Sequence, residues 1–375
     1  MPSSLPIDPP TARSLTGVLP QLIASVSGAP DWFGPARSAI VIVADGLGRG
    51  NLSQRGAYAR FLTERMTKRD AARTVFPATT AAALTSLFTG SLPGEHGIVG
   101  YRVRVPGTGS TPNQLTGWDT DGLDPRTWQR ATPLFEREAA NGRRCFVVSR
   151  GQYADTGFTT ATVRGAEFIA VSAIAERLDV AEALANAHDG ALVYVYIPEL
   201  DVIGHAHGWE SERWSSELET IDATLRRWDR RVGPGIGAVL TADHGMVDVP
   251  AHRHVLLADG DPLVDEVASV AGEPRMLHLY AEPGAEDRVA ERWRASEAGR
   301  SWVVTRGEAV SAGLFGAVHP EVEARIGDVL VAARGDVAYY DDRLADKKAQ
   351  RMIGQHGSLT DQERIVPLVR LGAFA

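Results

Sequence analysis

Six side chains of the sequence carry the chemistry of a metal site. They are Asp45, Asp201, His205, Asp243, His244 and His356. Oxygen and nitrogen donors without sulfur suit Zn²⁺, Mn²⁺ or similar ions. Six donors exceed what one tetrahedral ion takes, and they fit two ions sharing a cleft. Asp201 and His205 stand four apart, so one helical turn aims both to one side. Asp243 and His244 are adjacent, which calls for a turn, and Gly245 makes a turn easy. A hydroxyl beside such ions would become a nucleophile at neutral pH, because coordination lowers its pKa. Phe76-Pro77-Ala78-Thr79-Thr80-Ala81-Ala82-Ala83 offers one. It reads as a loop entering a helix, with Thr79 or Thr80 at the N-cap, where free N–H groups favour an anion.

These residues are useful only if the chain brings them together. Four short β-branched runs predict buried strands: Ser38 to Ala44, Cys145 to Ser149, Ala191 to Ile197 and Ala238 to Thr241. Helical patterns at Ala78 to Phe88, Thr132 to Ala140, Ala170 to Ala187 and Glu210 to Val232 alternate with them. That alternation predicts an α/β fold around a mostly parallel sheet. In such sheets ligands bind beyond the carboxyl ends of the strands. Asp45-Gly46, Pro198 to His205 and Asp243-His244-Gly245 each follow one of these runs. Thr16 to Val26 reads as a short helix, and the first dozen residues as an extended lead-in.

Residues 251–350 read differently, with strands at Leu277 to Ala281 and Val329 to Ala333 and a helix between Ala285 and Ala298. No Gly/Ser linker sets them apart, so they are expected to form an inserted cap on a single domain spanning 1–375. Within them Asp336 to Lys348 is charged and is expected to be solvated.

Composition narrows the function. The chain has 375 residues, 44% of them hydrophobic and 23% charged, which suits a large folded core. Its net charge of −8 supplies no excess of cations to displace counterions from a nucleic-acid polymer. A small anionic substrate is still compatible, since local charge in a cleft can oppose the global sign. The one cysteine, Cys145, lies in an apolar run and excludes both an intramolecular disulfide and a thiolate metal cluster. No basic-then-apolar leader opens the chain and no stretch approaches about 18 uninterrupted apolar residues, so a cytoplasmic protein without membrane spans is expected. His207, His252 and His254 are expected at the surface or cleft edge, His96 as a brace for the turn after the Thr-bearing helix, and Trp118, Trp128 and Trp209 in packing.

The order of these motifs resembles the alkaline phosphatase superfamily, in its nucleotide pyrophosphatase/phosphodiesterase branch. The matching stretches are Val43-Ala44-Asp45-Gly46, Phe76 to Gly90, Leu92 to Ile98, Asp201 to His205, Thr241 to Met246 and Gly354 to Gly357. The resemblance implies an alkaline phosphatase-like three-layer sandwich with helices on both faces. It also implies Thr80 as nucleophile, ten residues before Gly90. One ion would be held by Asp45, Thr80, Asp243 and His244, the other by Asp201, His205 and His356, with Zn²⁺ foremost and Mn²⁺ as the alternative. The implied reaction is hydrolysis of a small phosphodiester or pyrophosphate through a phospho-threonine. A phosphomonoesterase or phosphonate hydrolase on the same scaffold is the nearest alternative, and a non-catalytic metal-binding module a more distant one. Two positions depart from the pattern. Tyr101 stands where the branch usually carries an Asn that holds a phosphate oxygen, and Leu200 replaces the usual Pro before Asp201. Tyr101 is therefore the candidate substrate contact.

Overall fold

The computed structural model describes residues 5–375 apart from 7, 10 and 68. Part of the extended lead-in expected at the start thus lies outside the described residues. Ten strands build the two larger sheets. In chain order they are β1 (Ser38–Ala44), β2 (Cys145–Ser149), β3 (Glu167–Ala170), β4 (Leu192–Ile197), β5 (Ile236–Thr241), β6 (Val267–Glu273), β7 (Met276–Ala281), β8 (Ser301–Thr305), β9 (Val329–Ala333) and β10 (Val369–Gly372).

The main sheet has the order β10-β5-β1-β4-β2-β3. Its first five strands in sequence run parallel, and β10 closes one edge antiparallel to β5. Successive side chains of a strand point to opposite faces. All seven residues of β1 are buried, so both faces of the sheet's centre are covered. That is the reason its sequence is an unbroken apolar run rather than an alternation. Each fully buried Val or Ile there contributes about 1.5–3 kcal/mol relative to exposure.

The centre of the sheet also positions the site. β1 lies between β4 and β5, with Ala44 beside Ile197 and Val43 beside Thr241. The three strands therefore end level with one another. The residues just beyond those ends, Asp45, the start of helix α1 (Glu199–His207) and Asp243, are delivered to one edge.

Residues 267–333 supply the second sheet, with the order β8-β9-β7-β6 and antiparallel throughout. It carries its own apolar cluster, including Leu277, Leu279, Trp293, Val329 and Tyr339. Two sequence readings need correction. The helix expected from Ala170 begins at Ile174, because Glu167–Ala170 pairs with β2 as an edge strand. The segment 336–348 is not simply solvated. Ala338–Asp341 is a strand paired in parallel with His254–Leu257, and Tyr339 and Tyr340 are buried. Aspartates and arginines at its ends masked an apolar centre.

Candidate active site

The nucleophile candidate opens a helix, Thr80–Thr89, in which all ten residues are buried. Thr79 occupies the N-cap position with extended backbone, but its side chain makes no capping hydrogen bond. Thr80 is the first helical residue, and its hydroxyl Oγ1 lies 3.1 Å from Nε2 of His244.

The loop after β5 brings His244 there. Gly245 allows it for a reason other than backbone freedom: a Cβ at this position would stand 2.0 Å from the carbonyl oxygen of Gln362. The glycine is a close-approach residue. Gly46 does need its conformation, with φ at +74°. Its N–H donates to Asp243 Oδ1 at 3.2 Å, tying the loop after β1 to the loop after β5.

His356 arrives from the far end of the sequence. Gly354–Gln355 pairs antiparallel with Val247–Asp248, and Gly357 bridges Ala78. A strap from near the C-terminus thus runs between the β5 loop and the approach to Thr80. The His356 ring stacks on His244 with centroids 3.6 Å apart and lies 5.2 Å from that of His205.

The distances make one cluster. His244 Nε2 is 3.5 Å from Asp45 Oδ1 and 3.4 Å from Asp243 Oδ2. Asp201 Oδ1 is 3.4 Å from His205 Nε2 and 4.0 Å from His356 Nε2. Asp45, Asp243 and His244 offer ligand atoms that all lie within 4.8 Å of one another, and so do Asp201, His244 and His356. His244 belongs to both groups, and His205 joins through its contact with Asp201.

Two features show that these donors fit cations. First, Asp45 Oδ1, Asp201 Oδ1 and Asp243 Oδ2 are buried without a hydrogen-bond partner. Such orphaned acceptors are costly unless a positive charge faces them. Second, all three histidines direct Nδ1 at a backbone carbonyl: His205 at Gly354 (2.7 Å), His244 at Gly245 (3.2 Å) and His356 at Ala78 (3.0 Å). A carbonyl only accepts, so Nδ1 carries the proton and Nε2 keeps its lone pair for the cluster. This is how metal-ligating histidines are oriented. Burial and the neighbouring His244 and His205 also hold the His356 pKa well below the usual imidazole value, keeping it in the ligand form. Burial, with Asp243 and Asp201 close by, pushes the Asp45 pKa well up in the absence of a cation.

The structure adds residues that the sequence did not single out. The Tyr196 hydroxyl donates to Asp45 Oδ2 and fixes that carboxylate. Tyr196 sits in β4 beside Val43, two residues before Asp45, and only the strand pairing reveals the contact. Glu273, at the end of β6, is buried with its Oε2 3.7 Å from His356 Nδ1. Burial raises its pKa well above the usual carboxylate range, with Glu363 adding to the effect. It comes from the second sheet, where sequence patterning carried no site signal.

A cavity of about 650 Å³ opens beside the cluster. Thr80, Asp201, His205 and His356 line it on the cluster side, and Tyr101 and Glu273 elsewhere. None of Trp118, Trp128 and Trp209 lines it; Trp118 and Trp209 are buried in apolar clusters. His207 and His252 are exposed, and His254 packs on Tyr340. His96 is buried between Ser86 (2.8 Å) and the Ile98 N–H (3.1 Å), bracing the helix that carries Thr80. Cys145 is buried in β2. No helix among the described residues is long and apolar enough to cross a membrane.

Comparison with known proteins accords with this geometry. Murine ectonucleotide pyrophosphatase/phosphodiesterase 5 has a similar structure, with a TM-score of 0.70 and 16% identity, over 89% of this chain and 88% of that one. Phosphonoacetate hydrolase from Sinorhizobium meliloti 1021, in complex with phosphonoformate, gives a TM-score of 0.67 and 20% identity, over 90% of this chain and 91% of that one. Both likenesses show the alkaline phosphatase-like fold. In sequence, a phosphopentomutase from Sinorhizobium medicae is 28% identical over 204 residues, which are 51% of this chain and 48% of that protein. The chain spans about half the length, or less, of the curated relatives it matches. The model of the family described as type I phosphodiesterase/nucleotide pyrophosphatase matches residues 39–359, and the chain belongs to that family.

Proposed function

We propose that the protein is a two-metal-dependent phosphoric-ester hydrolase of the phosphodiesterase or nucleotide pyrophosphatase type, acting through a phospho-threonine at Thr80. The observation that carries this reading is the set of three carboxylate oxygens, on Asp45, Asp201 and Asp243, buried without a hydrogen-bond partner and grouped about His244, whose Nε2 lies 3.1 Å from the Thr80 hydroxyl. Asp45, Thr80, Asp243 and His244 would hold one divalent cation, and Asp201, His205 and His356 a second, with Zn²⁺ foremost and Mn²⁺ as the alternative. Such a pair supplies Lewis-acid stabilisation of the charge on the attacking and leaving oxygens.

The chain's own residues do the rest. Thr80 Oγ1 attacks phosphorus in line, so that its bond to phosphorus forms as the bond to the leaving oxygen breaks. His244 Nε2 stands 3.1 Å from Oγ1 and keeps its lone pair for the cation it would share with Thr80, whose charge would lower the pKa of the hydroxyl so that its proton passes to water. Water then cleaves the threonine ester and restores the free hydroxyl. The unpartnered N–H groups at the start of the Thr80–Thr89 helix favour the phosphoryl charge. Gly46 and Tyr196 hold Asp243 and Asp45 in place. Residues 251–350 act as a cap on a single domain and bring Glu273 to the cavity wall. The substrate is a small anionic phosphodiester or pyrophosphate.

A second reading, a phosphonate hydrolase or phosphomonoesterase, is favoured by the near-equal likeness to phosphonoacetate hydrolase and by Tyr101 at a position where the branch usually has Asn. Assays with aryl mono- and diesters in Zn²⁺ or Mn²⁺ separate the two. A monoester preference of about tenfold or more, equivalent to ~1.4 kcal/mol of barrier, would overturn the diester reading. Acid-quenched turnover should leave a phosphoryl group on Thr80 by peptide mass spectrometry. Unimpaired turnover after exhaustive chelation would remove the two-metal mechanism.

A further inference from the structure

We infer that Glu273 is a specificity-determining residue, whose carboxyl reads a hydroxyl group on the organic part of the substrate, a few bonds away from the reacting phosphorus. The inference deepens the proposed function and rests on it for the phosphoryl end of the ligand.

Glu273 closes β6, just before the chain turns back into β7. Its side chain is lodged against the strap that carries His356. A Cβ at position 357 would stand 2.6 Å from Glu273 Cδ, so the carboxyl fills space that a glycine leaves open. Gly357 also bridges Ala78, which sets this niche beside the approach to Thr80.

The side chain is only 5% exposed, yet the chain does not satisfy it. Among the described residues Oε1 has no hydrogen-bond partner. Oε2 has His356 Nδ1 at 3.7 Å, too far for a hydrogen bond, and that N–H already faces the Ala78 carbonyl. The guanidinium of Arg275, two residues on, is committed to Glu363 and to the Gly335 and Val337 carbonyls. The Thr79 hydroxyl faces the Glu273 carboxyl, but Thr79 Oγ1 neither caps its helix nor has a partner within hydrogen-bond distance. Thr79 and Glu273 both line the cavity that holds Thr80, Asp201 and His356. Two unsatisfied polar groups thus stand together on one cavity wall, and buried groups of that kind are costly unless a ligand meets them.

Their chemistry states what the ligand must offer. A carboxyl presents an accepting oxygen whether or not it carries a proton, so the ligand group must be able to donate. A hydroxyl donates to the carboxyl and accepts from Thr79, answering both; an ammonium could answer only the first. Glu273 stands at the Nδ1 side of the His356 ring, whereas Nε2 faces Asp201 and the cluster. The phosphoryl group belongs at the cluster, so the hydroxyl lies farther along the substrate. A cavity of about 650 Å³ has room for both parts. The substrate class is therefore a phosphoric ester of a hydroxyl-bearing organic group, such as a polyol or sugar.

The probes are two pairs of ligands in which a methyl replaces the hydroxyl: 2-hydroxyethylphosphonate with propylphosphonate, and 3-hydroxypropylphosphonate with butylphosphonate. Each is titrated calorimetrically into the metal-loaded full chain, so the readout does not depend on turnover. In at least one pair the hydroxyl ligand should bind about tenfold or more tightly. Glu273→Leu should abolish or reverse that preference while leaving the alkyl ligand's affinity within about threefold. Glu273→Gln, which keeps an accepting oxygen, should retain most of the preference, and Thr79→Val should lower it by less than Glu273→Leu does. The comparison within the unmodified chain needs no variant, so a Glu273→Leu that fails to fold leaves the test intact. No hydroxyl preference in either pair overturns the inference. So does an equal loss for both members of a pair in Glu273→Leu, which would put the carboxyl on the phosphoryl group itself. If the preference appears but no ester is turned over, the hydrolase reading fails and the subsite stands. If turnover needs Thr80 while both pairs bind alike, only the subsite fails.

Discussion

Two buried groups of charges in this molecule have opposite designs. At the C-terminal edge of the main sheet, Asp45, Asp201 and Asp243 present three buried carboxylate oxygens with no hydrogen-bond partner. Between the β6–β7 hairpin and the C-terminal segment, Arg275 and Glu363 form an ion pair with both side chains fully buried. That pair leaves little unsatisfied. Arg275 Nε and Nη2 each meet a Glu363 oxygen at 2.8 Å, and Nη1 donates to Gly335 and Val337 carbonyls. Glu363 accepts in addition from the Ser358 N–H and the Thr360 hydroxyl. A buried charge that is fully paired is a tie; it fastens the second sheet to the segment that follows His356. A buried charge left open among like charges stabilises nothing by itself and calls for a ligand of opposite sign.

The largest effect should come from the open cluster. Thr80→Ala is expected to lower kcat/KM for the best ester by about 10⁴-fold, or ~5.5 kcal/mol of barrier, with an unchanged thermal melting profile. Residual turnover within tenfold of the unmodified chain would remove Thr80 from the chemistry.

The paired charges should respond in stability instead. Glu363→Gln strands Arg275 and should cost about 3–5 kcal/mol in urea unfolding. Replacing both partners together (Arg275→Met with Glu363→Leu) should recover much of that. If the double replacement is as damaging as the single one, the pair is not behaving as a satisfied tie.

Acid should act on the scaffold in a third way. Burial, beside Arg325 and Arg306 respectively, holds His96 and His278 down to about 3, against roughly 6.5 for a free imidazole. Between those values the unfolded chain binds more protons than the folded one. Stability is therefore complete above pH 6.5 and falls as the pH drops toward 3, by about 1.4 kcal/mol per pH unit for each histidine. Unfolding curves at stepped pH, with metal supplied and with chelator, should both show the slope. A flat profile through pH 5 would contradict it.

The smallest effect has the most telling sign. Asp45→Asn removes one charge from the crowded cluster while keeping an oxygen for Tyr196. In chelated protein it should raise stability by about 1 kcal/mol, while weakening metal binding. Glu363→Gln removes a carboxylate charge too and should do the reverse. If both substitutions destabilise the chelated protein alike, the distinction between open and paired charge collapses.

Much of the site could be read along the chain. Asp45, Asp243 and His244 follow apolar runs that can only be buried strands, and the turn residues after them mark where those strands end. Asp201 and His205 needed only helical periodicity, and α1 carries both. Other parts were not legible. The strands Val267–Glu273 and Ser301–Thr305 are short and mixed in character, and they take their form from pairing within the second sheet. Glu273 reaches the cavity because that sheet lies over the site, a fact with no local signature. Tyr196 looks like any aromatic in a buried strand until Val43 is found beside it.

The sequence by itself determined which groups were available and which local elements would carry them, because hydrophobic periodicity and turn chemistry act over a few residues. Only the tertiary structure decided who meets whom. The order β5-β1-β4 sets three strand ends side by side, the strap at Gly354–Gln355 brings His356 across to Ala78, and Asn113 is folded back against Tyr101. Such contacts join residues from twelve to nearly three hundred positions apart, and they are fixed by burial of the sheets and closure of the backbone hydrogen bonds rather than by any preference of the residues concerned.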